Sequence, residues 1–599
     1  MIQHKNDGIL PEGIILSDLA NACENKEVLS RERRTDKWET VSYETATICG
    51  TMLSAFAPAS PQPAKIKVNL AGWHKIYVSL MGNPQNNRAF LKLTGDKALS
   101  SFTTDLVDNH RVWWKWESFE ESFWKCADLT GQDIEIVKRN GCGLLGSHIA
   151  WFRFVPMTEE EIREWKAENA RPDTKRIFAT TDMFSVHVTE APETLKDWLM
   201  RIENLKHSDV EILTLDRDQN FQHYIEPHSE DASFLSEARK ALSYKYPAHS
   251  KDATFTALID YAHEVGIKAY ISRRMGLPGD APFPYDQEAY SIPFAKEHPE
   301  FRCIGRDGVP TDVLSFAYPE VQQYVIDQFA DFTKLDCDGI TLIYTRGIPY
   351  ILFEQPVLDA FAQQYPGLDP RELPLTDPRI QHVHCGIMTA FMRKLRFAMD
   401  GSCIKLGRQK MAIHAYVGTS LSDNRMIGLD VETWAKEQLI DSISAYPLKI
   451  RERLEDVMQK DHPDRIDLAA YSKKQREGYH KILHRYVEYA QHIELEHVKE
   501  YVALSKQYPI KVYFDLLREM SNEDCERLSA ALCENGAERF SLWDIDSVST
   551  IKSQWAASSR LGHLEDIRHG QLVKNCSTVY RILRIGNKNI GAYNPAWTL

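Results

Sequence analysis

The chain has 599 residues, enough for more than one domain and for large apolar cores. Its 43% hydrophobic and 26% charged residues are ordinary for a soluble globular protein. A formal net charge of −13 with no basic stripe argues against a nucleic-acid partner, and no apolar run reaches the roughly 18 residues of a membrane span.

Met1 to Asp18 show no basic stretch leading into an apolar one. The expectation is therefore a cytoplasmic chain, or a secreted or periplasmic one if a leader has been trimmed. The 11 cysteines are scattered, with no C-x-x-C. They read as reduced, mostly buried thiols, Cys337, Cys385 and Cys533 among them.

From about 40 to 157, short β-rich runs alternate with turn residues: Ile66–Leu70, Lys75–Leu80, Ala89–Leu93, Asp133–Val137 and His148–Val155. This spacing predicts an antiparallel β-sandwich over residues 1–157. Its tryptophans, Trp73, Trp113, Trp114, Trp116, Trp124 and Trp151, are read as core or inter-domain filler before stacking platforms for sugars. Thr158 followed by three glutamates, Glu159 to Glu161, is a capping box, which predicts a helical linker over 158–175.

From Arg176 the texture becomes strand–helix alternation, the pattern of an α/β fold. Eight strands are predicted: Ile177–Val188, Val210–Leu215, Ile267–Ser272, Gly339–Tyr344, Lys410–Val417, Ile440–Tyr446, Ile510–Leu516 and Arg539–Trp543. Phe255–Val265, closed by Gly266, and Val321–Phe332 are amphipathic helices between them. The expectation is a (β/α)8 barrel over 176–560, with long loops at 217–250 and 273–320, and a C-terminal extension over 561–599 packed on the barrel or the sandwich.

Barrel sites form where the strands end. That rule gathers Asp216, Arg273, Tyr344, Arg346, His414, Tyr446, Asp515, Arg518, Trp543 and Asp544 at one rim, with Glu354 in the loop after strand four. Two carboxylates among aromatics and arginines suit glycoside hydrolysis, in which one acid protonates the leaving oxygen and a second acts as nucleophile or base. Glu354, a lone charge among apolar neighbours, is the first choice for acid/base, because burial raises a carboxyl pKa. Asp515, then Asp544, is its expected partner. Asp216, Arg273, Arg346, His414 and Arg518 would bind substrate, and Tyr344, Tyr446 and Trp543 would stack or hydrogen-bond. Arg273 and Arg274 leave an anionic sugar open. The same rim residues also suit helix caps and structural ion pairs, so each carries a bland reading beside the chemical one.

Several phrases resemble glycosyl-hydrolase-like barrel families. They are His298-Pro299-Glu300-Phe301, Asp307-Gly308, Tyr318-Pro319-Glu320-Val321 and Asp338-Gly339-Ile340-Thr341-Leu342-Ile343-Tyr344-Thr345-Arg346. Gly428-Leu429-Asp430, Trp434 and Glu437 to Asp441 resemble the approach to strand six in those families. The resemblance covers about 175 to 550 and implies a glycosidase barrel. The run Phe123 to Gly131 looks like the sandwich before such barrels, similar in type to carbohydrate-binding modules. Related families carry an aspartate in an L-D-Y-x-R phrase on strand four, and Ile343 stands in its place, so only Arg346 transfers.

Rival chemistries are weaker. Strand one offers only His187 toward an H-x-H metal site, and His382 and His384, two apart on a helix, point to different sides. The loops after strands seven and eight lack glycine and are acidic, which disfavours phosphate. No G-x-S-x-G elbow occurs. No metal or organic cofactor is expected. The partner is a carbohydrate, and a homo-oligomer stays open. The rival class is a catalytically degenerate carbohydrate-binding barrel, favoured by the missing strand-four aspartate.

Overall fold

The computed structural model describes residues 11–56, 59–82, 87–104, 118–139, 146–183, 192, 194–217, 251–278, 292–451, 454, 493–516, 521–572 and 577–589. Eight parallel strands close into a barrel. They are β1 (Ile177–Thr181), β2 (Val210–Asp216), β3 (Lys268–Arg274), β4 (Gly339–Ile343), β5 (Ala412–Gly418), β6 (Ser442–Tyr446), β7 (Lys511–Leu516) and β8 (Phe540–Leu542). Each coincides with a predicted strand. The first prediction runs to Val188, but its end lies outside the described residues.

Helices cover the barrel because their sequences carry one apolar face. Among them are α2 (Lys251–Glu264), α3 (Pro319–Phe332), α4 (Gln355–Gln364) and α5 (Pro378–Lys405), whereas α1 (Glu159–Asn169) precedes the barrel and buries Ile162. In α3, Val321, Val325, Phe329 and Phe332 recur at helical spacing and are buried, while Pro319 begins the helix where its missing N–H costs nothing. Gly266, at φ +79°, turns the chain after α2 into β3. Helix α1 starts at the expected capping box of Thr158 and Glu161.

The inward side chains follow from the register. Asp216 pairs with Ser272, Ser272 with Thr341, Thr341 with His414, and His414 with Ser442. Tilted barrel strands climb one residue per strand, which sorts inward side chains into layers contributed by alternate strands. Low in the barrel lie Phe178, Tyr270, His414 and Tyr513. The next layer is Thr214, Thr341, Ser444 and Ser541. Above it come Thr180, Ser272, Tyr416 and Asp515, and the rim layer is Asp216, Ile343, Tyr446 and Trp543. The contacts agree with this order. Phe178 stacks on His414 with centroids 3.7 Å apart, and the Thr214 and Thr341 hydroxyls are 3.0 Å apart. Where barrels of this class usually pack branched aliphatics, the upper half of this one is lined with hydroxyls.

The N-terminal region forms two sheets. Trp38–Thr45, Cys49–Ala55, Ser147–Pro156, Trp73–Met81 and Ser118–Asp128 are joined antiparallel in that order. The C-terminal strand Ser577–Ile585 pairs with both Ser118–Asp128 and Trp38–Thr45, so the circuit of pairings returns on itself. Tyr43, Phe119, Trp151, Tyr580 and Ile582 fill its interior. A four-stranded sheet, Ala64–Ile66, Ile134–Val137, Arg88–Leu93 and Ser100–Thr103, shares a second core with Leu53, Ile76 and Phe152 of the first. The segment expected to be an extension thus completes the sheet of the first domain. Trp124 and Trp151 are buried, Trp73 packs on Trp165 of α1, and Trp113, Trp114 and Trp116 lie outside the described residues.

No described helix is long and apolar enough to cross a membrane.

Candidate active site

Successive side chains on a strand point to opposite sides, so the rim residues divide by parity. Asp216, Arg274, Tyr416, Tyr446, Asp515 and Trp543 share the parity of the barrel interior, whereas Arg273 and Tyr344 face the helices.

Asp515 ends β7 inside the barrel and is 1% exposed. Its Oδ2 accepts a hydrogen bond from the Ser541 hydroxyl at 2.8 Å, and its Oδ1 has no hydrogen-bond partner. Burial drives its carboxyl well above the ordinary range, against the pull of Ser541 and Arg346, and Asp544 adds to the rise. Because Ser541 donates to Oδ2, a proton on this carboxyl belongs on Oδ1.

Arg346 lies over this group. Its guanidinium sits 4.5 Å from the Trp543 ring and 5.3 Å from the Tyr446 ring, and it reaches the Tyr446 hydroxyl at 3.5 Å. Trp543 meets Tyr416 and Tyr446 edge-on at 5.2 and 5.5 Å, so three aromatics and one arginine wall one side of the mouth. Asp544 follows Trp543 in the left-handed conformation, at φ +50°, a region that aspartate tolerates better than most residues. Its N–H donates to Thr180 Oγ1 at 2.9 Å, which ties the end of β8 to β1. Asp546 braces the same junction, accepting from Thr181, from the Asp182 N–H and from Arg201.

On the other side, Arg274 stands between two carboxylates, 3.5 Å from Asp216 and 3.8 Å from Asp182. The mouth therefore collects Asp182, Asp216, Asp515 and Asp544 with Arg274 and Arg346.

Four expected site residues lie elsewhere. Glu354 caps α4 and is wholly buried beneath the hairpin of Arg302–Ile304 and Pro310–Leu314. Its carboxylate accepts from the Leu352 N–H at 2.9 Å, and Ser315 and Cys303 are its other hydrogen-bonding neighbours. Burial does raise its pKa, as expected, but among partners of the helix layer and with no contact to Arg346. The loop after β4 folds outward under the hairpin, a choice that its sequence alone does not record. Arg273 points to α3, 5.5 Å from the Tyr324 ring. The Tyr344 hydroxyl reaches Met392 of α5. His414 is inward but deep, with its two ring nitrogens against Ser442 and Ser444, and burial holds it well below its ordinary pKa and hence neutral. Arg518 lies outside the described residues.

Asp182, Ser272, Arg274 and Tyr416 join the site in their stead. Strand parity was the signal available for Arg274 over Arg273 and for Tyr416 over Tyr344. Asp182 required the true end of β1.

Of the histidine pair, His382 is exposed and His384 buried, with Nε2 2.9 Å from the Leu352 carbonyl, so the two do not converge. Among the described residues, no group of three or more His, Cys, Asp or Glu is placed to hold a metal ion.

No protein-family model and no curated protein matches the sequence. Among solved structures, the chain is similar to the glycoside hydrolase domain of PgaB (BpsB) from Bordetella bronchiseptica, at 13% identity over 63% of this chain and 98% of that one, with a TM-score of 0.36. It is similar also to α-L-fucosidase isoenzyme 2 from Paenibacillus thiaminolyticus, at 13% identity over 67% of this chain and 50% of that one, TM-score 0.37. A third is the catalytic domain of β-amylase from Paenibacillus polymyxa, at 10% identity over 67% of this chain and 99% of that one, TM-score 0.39.

Proposed function

We propose that the chain hydrolyses a glycosidic bond at the C-terminal mouth of its barrel, with Asp515 as the proton donor and Asp544 as the second carboxylate. The observation that carries this reading is Asp515. It is an inward carboxyl driven toward its protonated form, with one oxygen held by Ser541 and the other without a partner. A general acid needs a proton held on an oxygen that a leaving group can reach.

In the reaction, Asp515 passes its proton to the glycosidic oxygen as the bond from the anomeric carbon to that oxygen breaks. Asp544 supports the developing positive charge, either by attacking the anomeric carbon or by drawing a proton from the water that does so. If Asp544 attacks, the Asp515 carboxylate then takes a proton from a water that displaces Asp544 from the anomeric carbon. If Asp544 acts as base, it keeps the water's proton and both carboxyls reset by exchange with solvent. In either case the water's oxygen ends as the new anomeric hydroxyl. Trp543 and Tyr446 offer aromatic faces to the sugar, and Asp216 and Asp182 offer acceptors for its hydroxyls.

A degenerate carbohydrate-binding barrel is the second reading. It is favoured by Ile343, which points inward in the rim layer where related families place an aspartate. A panel of chromogenic glycosides separates the two. Turnover that falls by about 10²–10⁴ in Asp515→Asn supports the hydrolase. Sugar binding with no turnover in the wild type supports the binding protein.

A further inference from the structure

The layer directly beneath the rim is chemically odd. Of its four side chains, Thr180 accepts from the Asp544 N–H. The other three, Ser272 Oγ, Tyr416 OH and Asp515 Oδ1, are buried polar atoms with no partner at hydrogen-bonding geometry. They come from β3, β5 and β7 and point toward the barrel axis at one height. A buried unsatisfied polar group is costly, and these three lie together in one layer. The layer below does not absorb them. There Thr214 bonds Thr341, Ser444 faces His414, and Ser541 is spent on Asp515 Oδ2. Ser444 and Ser541 are the hydroxyl neighbours of Tyr416 OH, but neither meets it at hydrogen-bonding geometry.

We infer that Ser272, Tyr416 and Asp515 form the floor of a subsite that seats the terminal ring of a neutral sugar. This rests on the carbohydrate reading of the mouth and narrows its substrate class.

Hydroxyl groups both donate and accept, and so do the hydroxyls of a sugar ring, so floor and ligand match in kind. An anionic sugar has no such match. Arg274 is engaged by Asp182 and Asp216, Arg273 faces outward, and Arg346 is stacked on Trp543 beside Asp515. Depth selects the end of a chain. Asp515 and Tyr416 lie one layer below Asp216, Tyr446 and Trp543, so a glycan lying across the rim passes above them, whereas an end ring can descend.

The test uses the full-length protein with neutral 4-nitrophenyl hexopyranosides and the matching uronides, and the variants Tyr416→Phe and Ser272→Ala. We expect kcat/KM on the best neutral glycoside to fall roughly tenfold or more in each variant. The melting temperature should stay level or rise, because each change deletes an orphaned buried group. A structural hydroxyl would give the opposite pattern, with unchanged kcat/KM and a lower melting temperature, and that result overturns the proposal while leaving the hydrolase standing. Uronides cleaved better than neutral glycosides also overturn it. Should the wild type cleave nothing, calorimetry with glucose, galactose and N-acetylglucosamine decides. Binding weakened tenfold in Tyr416→Phe sustains the floor although the hydrolase falls, and no binding to the wild type ends both.

Discussion

Replacing Asp515 by asparagine should make the protein inactive and, at neutral pH, more stable. The folded-state carboxyl titrates well above its ordinary value, with burial as the leading cause. The native state therefore keeps a proton that the unfolded chain has released. Where the native form binds more protons, stability falls as pH rises, by about 1.4 kcal/mol per pH unit for one group. That slope begins near the ordinary aspartate pKa and ends at the raised one. The substituted asparagine has no proton to lose, so the stability of the variant is free of this term. Its side-chain oxygen can still accept from Ser541, and its amide fills the place of the protonated Oδ1. The assay is the thermal midpoint of wild type and Asp515→Asn from pH 4 to 8. The two midpoints should lie close together at pH 4 and diverge as pH rises, with the wild type the lower. Parallel curves over that range would refute the claim that Asp515 is a buried, proton-holding acid, and the proposed mechanism with it.

Three further outcomes follow from the same structure. Glu354→Gln should keep turnover near wild type, since Glu354 serves the hairpin and the Leu352 N–H; a loss of orders of magnitude would return Glu354 to the chemistry. His563 is clasped by Asp209, at 2.6 Å, and by Glu168 of α1. Burial lowers its pKa, but the two carboxylates outweigh burial and hold it above the ordinary value. Its contribution is complete below the unfolded histidine pKa and fades as pH rises through the raised one, so His563→Ala should cost about 3 kcal/mol at pH 6 and less at pH 9, read by urea unfolding. Deleting residues 573–599 removes the strand that pairs with Trp38–Thr45 and Ser118–Asp128 and exposes the core around Trp151. Near-UV circular dichroism should lose tryptophan signal, and an unchanged spectrum would contradict the pairing.

The barrel was legible because its signals are local. Alternating strands and amphipathic helices such as Pro319–Phe332 announce themselves within a dozen residues, and the position of a residue at a strand end follows from counting. The same counting brought Asp216, Arg346, Tyr446, Asp515, Trp543 and Asp544 to one mouth. Three things were decided only in three dimensions. Strand parity relative to the closed barrel sent Arg273 and Tyr344 outward and Arg274 and Tyr416 inward, because a single-residue shift in register exchanges the two faces. The loop after β4 buried Glu354 under a hairpin rather than raising it over the mouth, since a run of apolar residues says that it will be covered but not by what. The strand Ser577–Ile585 paired with Ser118–Asp128 and Trp38–Thr45, more than 400 residues earlier in the chain. Backbone pairing at that separation leaves no periodic mark, because the hydrogen bonds that hold it are the same for every residue type.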